Sequence, residues 1–398
     1  MRERHRRKLV KCVKGLFVAF LAGLFLCGCQ ATPEEVKENM KEYGDNQQKE
    51  ASEITYCSKE SLKAAKLPEV TGSSFSLPEE VDFSDIEDVE VLHLSIEKNF
   101  LTDSNIKKYT TLFGAEREKL EEQDGGESSW GNQLIYDNKA EQNYMHMMKN
   151  GGLVRMAGQA YDCGPNVIER KYNLNREDIS QVNVILADGE VSLSKLCKNT
   201  EQWMEENMHI EGIRYKISDA YVRKAENSSD QERTLSLCAE YEYKGIRFNN
   251  HTMPLMVEDK DFNSKVLTTF LSVQLSHDDT GIPSYFSRNM NVAIDSTEPV
   301  EKVVDLESAV RIVRDTLSGF GAFHISEVLP LYELKLEDNC EAPGAGIEAR
   351  PVYAFLVKSN NNETDRLGIL KLNDCAHYFL VDMVTGELTT DLDIERGG

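Results

Sequence analysis

A period-two alternation through the middle of this chain narrows its fold more than any other feature. Ile213, Tyr215 and Ile217 alternate with Arg214, Lys216 and Ser218, and the pattern continues to about Lys224. Leu235, Leu237, Ala239, Tyr241 and Tyr243 then alternate with Ser236, Cys238, Glu240 and Glu242, and Leu267, Thr269, Leu271, Val273 and Leu275 repeat the pattern. Successive strand side chains point to opposite faces, so this spacing predicts long antiparallel strands with one buried and one wet face. His277-Asp278-Asp279-Thr280-Gly281 is expected to turn the chain into a partner strand near Tyr285–Ile294.

Around this region a helix followed by several strands recurs. In the first block, Leu92, Leu94 and Ile96 mark a strand around Glu90–Ile96. A helix capped by Thr102 or Asp103 then runs through Ile106, Tyr109 and Phe113 to Gly114. Short strands follow at Gln133–Tyr136, Asn143–Met148 and Leu153–Ala157, with a hairpin turn at Asn150-Gly151-Gly152. In the second block, Ser192 caps a helix whose residues Leu193, Leu196, Cys197, Thr200, Trp203, Met204 and Met208 share one face. In the third, after a polar break at Asp295–Pro299, Asp305 caps a helix with Leu306, Ala309, Val310, Val313 and Leu317 on one stripe. Strands near His324–Leu334, Pro351–Lys358 and Tyr378–Met383 follow.

The predicted fold class is α+β, with helices packed on antiparallel sheets in two to three repeated helix-plus-strands units. The chain divides into residues 1–28, a signal segment; 29–75, a polar tether; 76–294, a body with an inner boundary near 165–190; and 295–398, a last module. The tether reading rests on the charged run from Gln30 to about Lys66, which lacks the apolar surface to offset chain entropy.

The N-terminus sets the address. Arg2, Arg4, Arg6, Arg7, Lys8, Lys11 and Lys14 precede an apolar run from Leu16 to Leu26. Eleven helical residues rise about 16 Å, half of a hydrocarbon core of roughly 30 Å, so the run reads as a signal h-region and not a span. Leu26-Cys27-Gly28-Cys29 resembles the lipobox of bacterial lipoprotein signal peptides. The resemblance implies cleavage between Gly28 and Cys29, diacylglyceryl transfer to the Cys29 sulfur, and a lipid-anchored protein on the extracytoplasmic side of the cell membrane. Two acyl chains give stable anchoring where one does not. An ordinary secretory signal cut nearby is the alternative.

Residues 1–28 hold seven basic residues and one acid, Glu3, so their removal takes the formal charge from −23 to −29. Such a surface repels nucleic acid and anionic lipid head groups and keeps the domain soluble. Six cysteines then remain besides Cys29: Cys57, Cys163, Cys197, Cys238, Cys340 and Cys375. The compartment permits disulfides. No Cys-x-x-Cys pair occurs, and a chain this long buries an adequate core without staples. Mostly free thiols are expected, with Cys340–Cys375 the favoured exception.

Two resemblances lie further along. A helix, two strands and then Tyr378-Phe379-Leu380-Val381-Asp382-Met383-Val384-Thr385-Gly386-Glu387-Leu388 resembles a PepSY-type module, which ends in a strand, an Asp and a Thr-Gly-Glu turn. The lipobox, Tyr243-Lys244-Gly245-Ile246 and Asp278-Asp279-Thr280-Gly281-Ile282 are similar to a family of uncharacterised Gram-positive lipoproteins. The PepSY resemblance implies binding or restraint of protein partners; the lipoprotein family carries no known activity, and neither resemblance supplies a catalytic residue.

No motif in the sequence marks a catalytic, cofactor-binding or metal-ligating residue. Ser104–Lys107 and Ser192–Lys195 match Ser-x-x-Lys without the accompanying Lys-Thr-Gly, and Ser192 reads as a helix cap. Asp259-Lys260-Asp261-Phe262-Asn263 begins like a calcium loop, but Ser264 and Phe270 stand where Gly and Glu are needed, so a polar turn is expected. Cys375-Ala376-His377 lacks two further ligands, and Met145, Met147 and Met148 beside Tyr144 read as core or as an adaptable groove. The resulting expectation is a non-enzymatic lipoprotein that binds a protein or peptide at the envelope. A solute-binding lipoprotein of a transporter, or an envelope hydrolase, is the alternative.

Overall fold

The alternating segments pair antiparallel through most of the chain in the computed structural model, which describes residues 54–70, 75–97, 99–123, 132–158, 166–174, 177–186, 189–225, 233–248, 255–259, 262–267, 271–275, 283–288, 291–317, 323–336, 346–358 and 376–390. All of these belong to one of the chain's two compact units, 54–317 with 321–398. Nine strands follow one another across the first sheet. Their order is Glu121–Gln123, Gln133–Asn138, Asn143–Met148, Leu153–Ala157, Tyr285–Arg288, Leu271–Leu275, Arg233–Tyr243, Arg214–Ala225 and Asn166–Asn173, every pair antiparallel.

A second group centres on Phe323–Leu336 and Ile347–Lys358. Ile347–Lys358 pairs with Ala376–Asp382 along its C-terminal half and with Glu90–Ile96 at its start. Ile246–Phe248 joins the two groups, antiparallel to Arg233–Tyr243 and parallel to Phe323–Leu336. The core is densest at this junction, where Tyr241, Phe248 and Tyr332 are fully buried with ring centroids 6.1 and 5.3 Å apart. Each such aromatic contact adds about 1 kcal/mol beyond the area it buries.

Four α-helices are present among the described residues: α1 (Lys59–Leu62), α2 (Asp103–Phe113), α3 (Leu193–Asn207) and α4 (Leu306–Leu317). Their ends follow from their caps. Thr102 accepts from the Asn105 N–H at 3.2 Å and Gly114 closes α2 at φ 64°; Ser192 accepts from Lys195, and Asp305 from Ser308 at 2.7 Å. The stripe Leu306, Ala309, Val310, Val313 and Leu317 is buried. The molecule is thus α+β with sheet dominant.

Several expectations change. Arg233–Tyr243 has no wet face: Ser236, Cys238 and Glu240 are as buried as Leu235, Leu237 and Tyr241. Period two tells which residues share a face, not whether the second face is covered; here that face holds small or paired groups, such as Glu240 beside Arg247 at 3.8 Å. The break expected at Asp295–Pro299 is strand, since Val292–Pro299 runs antiparallel to Glu90–Ile96. Its polar residues suit an exposed strand, with Ser95 donating to Asp295 at 2.9 Å, and Pro299 stands at the end where its missing N–H costs least. The boundary at 295 therefore falls inside a strand. The partner strand near Tyr285–Ile294 is two strands, Tyr285–Arg288 and the start of Val292–Pro299.

The C-terminal end of the expected tether is also structured. Tyr56–Ser58 pairs with Lys302–Val304, the Thr55 N–H donates to Ser308 Oγ at 3.1 Å, and Leu62 is fully buried. Backbone pairing, which composition does not report, holds this segment.

Candidate functional site

The Tyr243-Lys244-Gly245-Ile246 segment is a two-residue hairpin turn with Lys244 at φ 49° and Gly245 at φ 81°. Both left-handed positions are what a primed turn demands. Gly245 is required twice over, because a Cβ there would lie 1.9 Å from the Asp85 carbonyl oxygen. The Glu87 N–H donates to the Lys244 carbonyl at 2.8 Å, so the turn tip is seated on residues 85–88.

Its side chains form a chain of alternating charge. Lys244 Nζ lies 3.0 Å from Glu90 Oε1 and 3.4 Å from Asp88 Oδ2. Lys59 Nζ, from α1, reaches Asp88 Oδ1 at 2.5 Å, and the Tyr243 hydroxyl donates to Glu90 Oε2 at 2.7 Å. Burial opposes the Lys244 charge, but the hydrogen bond to Glu90 and the neighbouring carboxylates outweigh it and raise the pKa. Burial likewise opposes the Asp88 charge, yet Lys59 and the Val89 N–H hold that carboxyl below its usual range. Burial, then Glu90, pushes the Tyr243 phenol up, so it remains a donor. Every member is held by another, and the arrangement fastens α1, the 85–90 segment and the hairpin together.

A second constellation explains the last-module motif. Asp382 is buried and takes the Arg350 guanidinium through both oxygens, while its Oδ1 accepts from the Val384 and Thr385 N–H groups at 2.7 and 2.9 Å. The Thr385 hydroxyl accepts from Glu387, and Gly386, at φ 76°, closes the turn. Burial opposes the charge, but Arg350 and the two N–H groups keep Asp382 below the usual carboxylate range.

A third group was not anticipated. Arg288 is fully buried, donates from Nε to the Gly151 carbonyl at 3.0 Å, and lies 5.2 Å over the Phe100 ring; its Nη2 has no hydrogen-bond partner. Burial disfavours the cation, and Tyr241, Tyr109 and Tyr215 restore it, leaving the pKa above the ordinary value. Its phase was a signal: Arg288 follows Phe286 by two residues, on the buried face of Tyr285–Arg288.

Other nominated residues take structural places. Ser192 caps α3, and Met145 and Met147 are fully buried core. Asp259 pairs with Phe262 where Leu255–Asp259 and Phe262–Leu267 run antiparallel, and Lys260 and Asp261 lie outside the described residues. Cys57, Cys197 and Cys238 are free thiols, and burial pushes Cys197 and Cys238 up to about 12. Among the described residues, no three His, Cys, Asp or Glu side chains are placed to hold a metal ion, and no helix is long and apolar enough to cross a membrane. Gly28, Cys29, Cys163, Cys340, Cys375 and the Asp278–Ile282 motif lie outside the described residues.

No protein-family model matches the chain, and no curated protein matches it. In fold it is similar to the crystal structure of an uncharacterized protein from Eubacterium rectale ATCC 33656, with 12% identity and a TM-score of 0.53 over 80% of this chain and 92% of that one.

Proposed function

We propose that this protein is a lipoprotein anchored through Cys29 on the extracytoplasmic side of the membrane, where it binds a protein or peptide without catalysis. On this reading its α+β body comprises helix-on-sheet units, the last of them PepSY-like, and resembles the uncharacterised Gram-positive lipoproteins named above. The carrying observation is Leu26-Cys27-Gly28-Cys29 behind a basic and then an apolar run. Further support comes from the state of the ionisable groups. Lys244, Asp88 and Glu90 are committed to one another, and thiols held near 12 are poor nucleophiles at neutral pH. The strand Asn166–Asn173 pairs on one side only among the described residues and leaves Ile168 exposed, a geometry suited to strand addition by a partner.

A photo-crosslinking residue at Ile168, compared with one at exposed Lys107 on α2, tests the binding reading in intact cells. A discrete protein adduct from position 168 alone is the expected result. No adduct from either position would overturn it.

A further inference from the structure

We infer that α3 serves as a side-chain strand: Glu201 and Glu205 close the exposed edge of Arg214–Ala225 against pairing with a second copy of this chain. That edge is shared between two partners. Asn166–Asn173 covers residues 219–225, and its last rung is the Leu174 N–H donating to the Ser218 carbonyl at 3.0 Å. The chain then turns away, with the Glu177 N–H on the Asn173 carbonyl and the Asn173 N–H on Glu177 Oε1, both at 2.9 Å. Tyr215 and Ile217 are left with N–H groups directed away from Arg233–Tyr243.

The helix supplies what a tenth strand would. Glu205 Oε1 accepts from the Tyr215 N–H at 2.9 Å, and Glu201 Oε1 accepts from the Ile217 N–H at 2.9 Å. The spacings match: one helical step of four residues rises about 6 Å, and two strand residues advance about 6.7 Å. The buried residues Cys197, Thr200 and Met204 seat the helix, and Glu201 and Glu205 each follow one of them at the border of that stripe. The order is antiparallel, Glu205 to Tyr215 and Glu201 to Ile217, because the helix and strand are joined by a tight connection at Met208–Ile213. Open strand edges pair with other chains unless covered. Here the cover is two carboxylates.

Amide exchange of the full chain, read by mass spectrometry, tests the inference together with intermolecular crosslinking. With Glu201→Ala and Glu205→Ala combined, the Tyr215 and Ile217 amides should exchange at least tenfold faster and crosslinked dimer should appear. Glu201→Gln with Glu205→Gln keeps an acceptor oxygen at each place, so both amides should stay at least as protected as in the parent and no crosslinked dimer should appear. Should the double alanine variant fail to fold, Glu205→Ala alone must still release Tyr215 and spare Ile217. Wild-type exchange at Tyr215 in Glu205→Ala, or faster exchange without any dimer in the double variant, would overturn the inference.

Discussion

Arg350 grips both carboxylate oxygens of Asp382 while the same carboxylate caps the Val384–Glu387 turn. One buried side chain thereby ties the strands Ile347–Lys358 and Ala376–Asp382 to the turn that ends them. Removing one partner of a buried pair leaves the other charge uncompensated, at a cost of about 3 kcal/mol. Asp382→Ala should lose about that much in urea unfolding at neutral pH. The carboxyl is depressed in the folded state, so its contribution is present above the unfolded value of 3.8 and lost as pH falls through the lower folded value. The gap between Asp382→Asn and the parent should therefore shrink in acid; a gap independent of pH contradicts the pairing.

Glu201 carries the opposite sign. Burial, the leading cause, raises its pKa above 4.5 in spite of the Ile217 N–H bond. A raised folded value gives stability that is complete below 4.5 and lost as pH rises through the folded value. Glu201→Gln should gain on the parent between pH 4 and 7, read as the change in unfolding midpoint. An advantage that does not grow with pH would show that the carboxylate is not desolvated.

Arg288 sets charge against volume. A guanidinium with Nη2 unpartnered contributes through its packing more than through its charge. Arg288→Met, of similar length, should stay within about 1 kcal/mol of the parent, whereas Arg288→Ala opens a cavity and should cost about 3 kcal/mol. Equal losses in thermal melts would show that the charge itself is needed.

Val313 and Arg314 test the orientation of α4. Val313 is fully buried, and Arg314 is exposed and bonded to its neighbour Asp315 at 2.9 Å. Val313→Asp places an unpaired carboxyl in a dry interface and should cost about 3 kcal/mol or more, while Arg314→Ala should change stability by less than about 0.5 kcal/mol. Comparable effects in denaturant unfolding would mean that the helix faces the other way.

Much of the local structure was legible in the sequence. Thr102, Ser192 and Asp305 announced their helices, period two placed a strand around Glu90–Ile96, and the short strands Asn143–Met148 and Leu153–Ala157 were legible beside it. Long-range partnership was not legible. Nothing near Leu153 tells that its strand lies beside Tyr285–Arg288, or that Glu90–Ile96 accepts both Val292–Pro299 and Ile347–Lys358. That ignorance made Asp295–Pro299 look like a break and Tyr56–Ser58 like tether, because both are held by backbone bonds to distant strands. The Tyr243–Ile246 motif was visible as letters, but its meaning needed Lys59, Asp88 and Glu90, which only the fold brings together. Glu201 and Glu205 carried a weak signal, an i, i+4 acidic pair bordering an apolar stripe.

Cys29 is where the proposed anchoring stands or falls. Intact mass spectrometry of the protein taken from its own membranes reads the mature N-terminus and its modification together. The expected result is a chain beginning at Cys29 whose mass includes a diacylglyceryl group, and a Cys29→Ser form without that mass. An N-terminus at another residue, or an unmodified Cys29 in the membrane-derived protein, would contradict it.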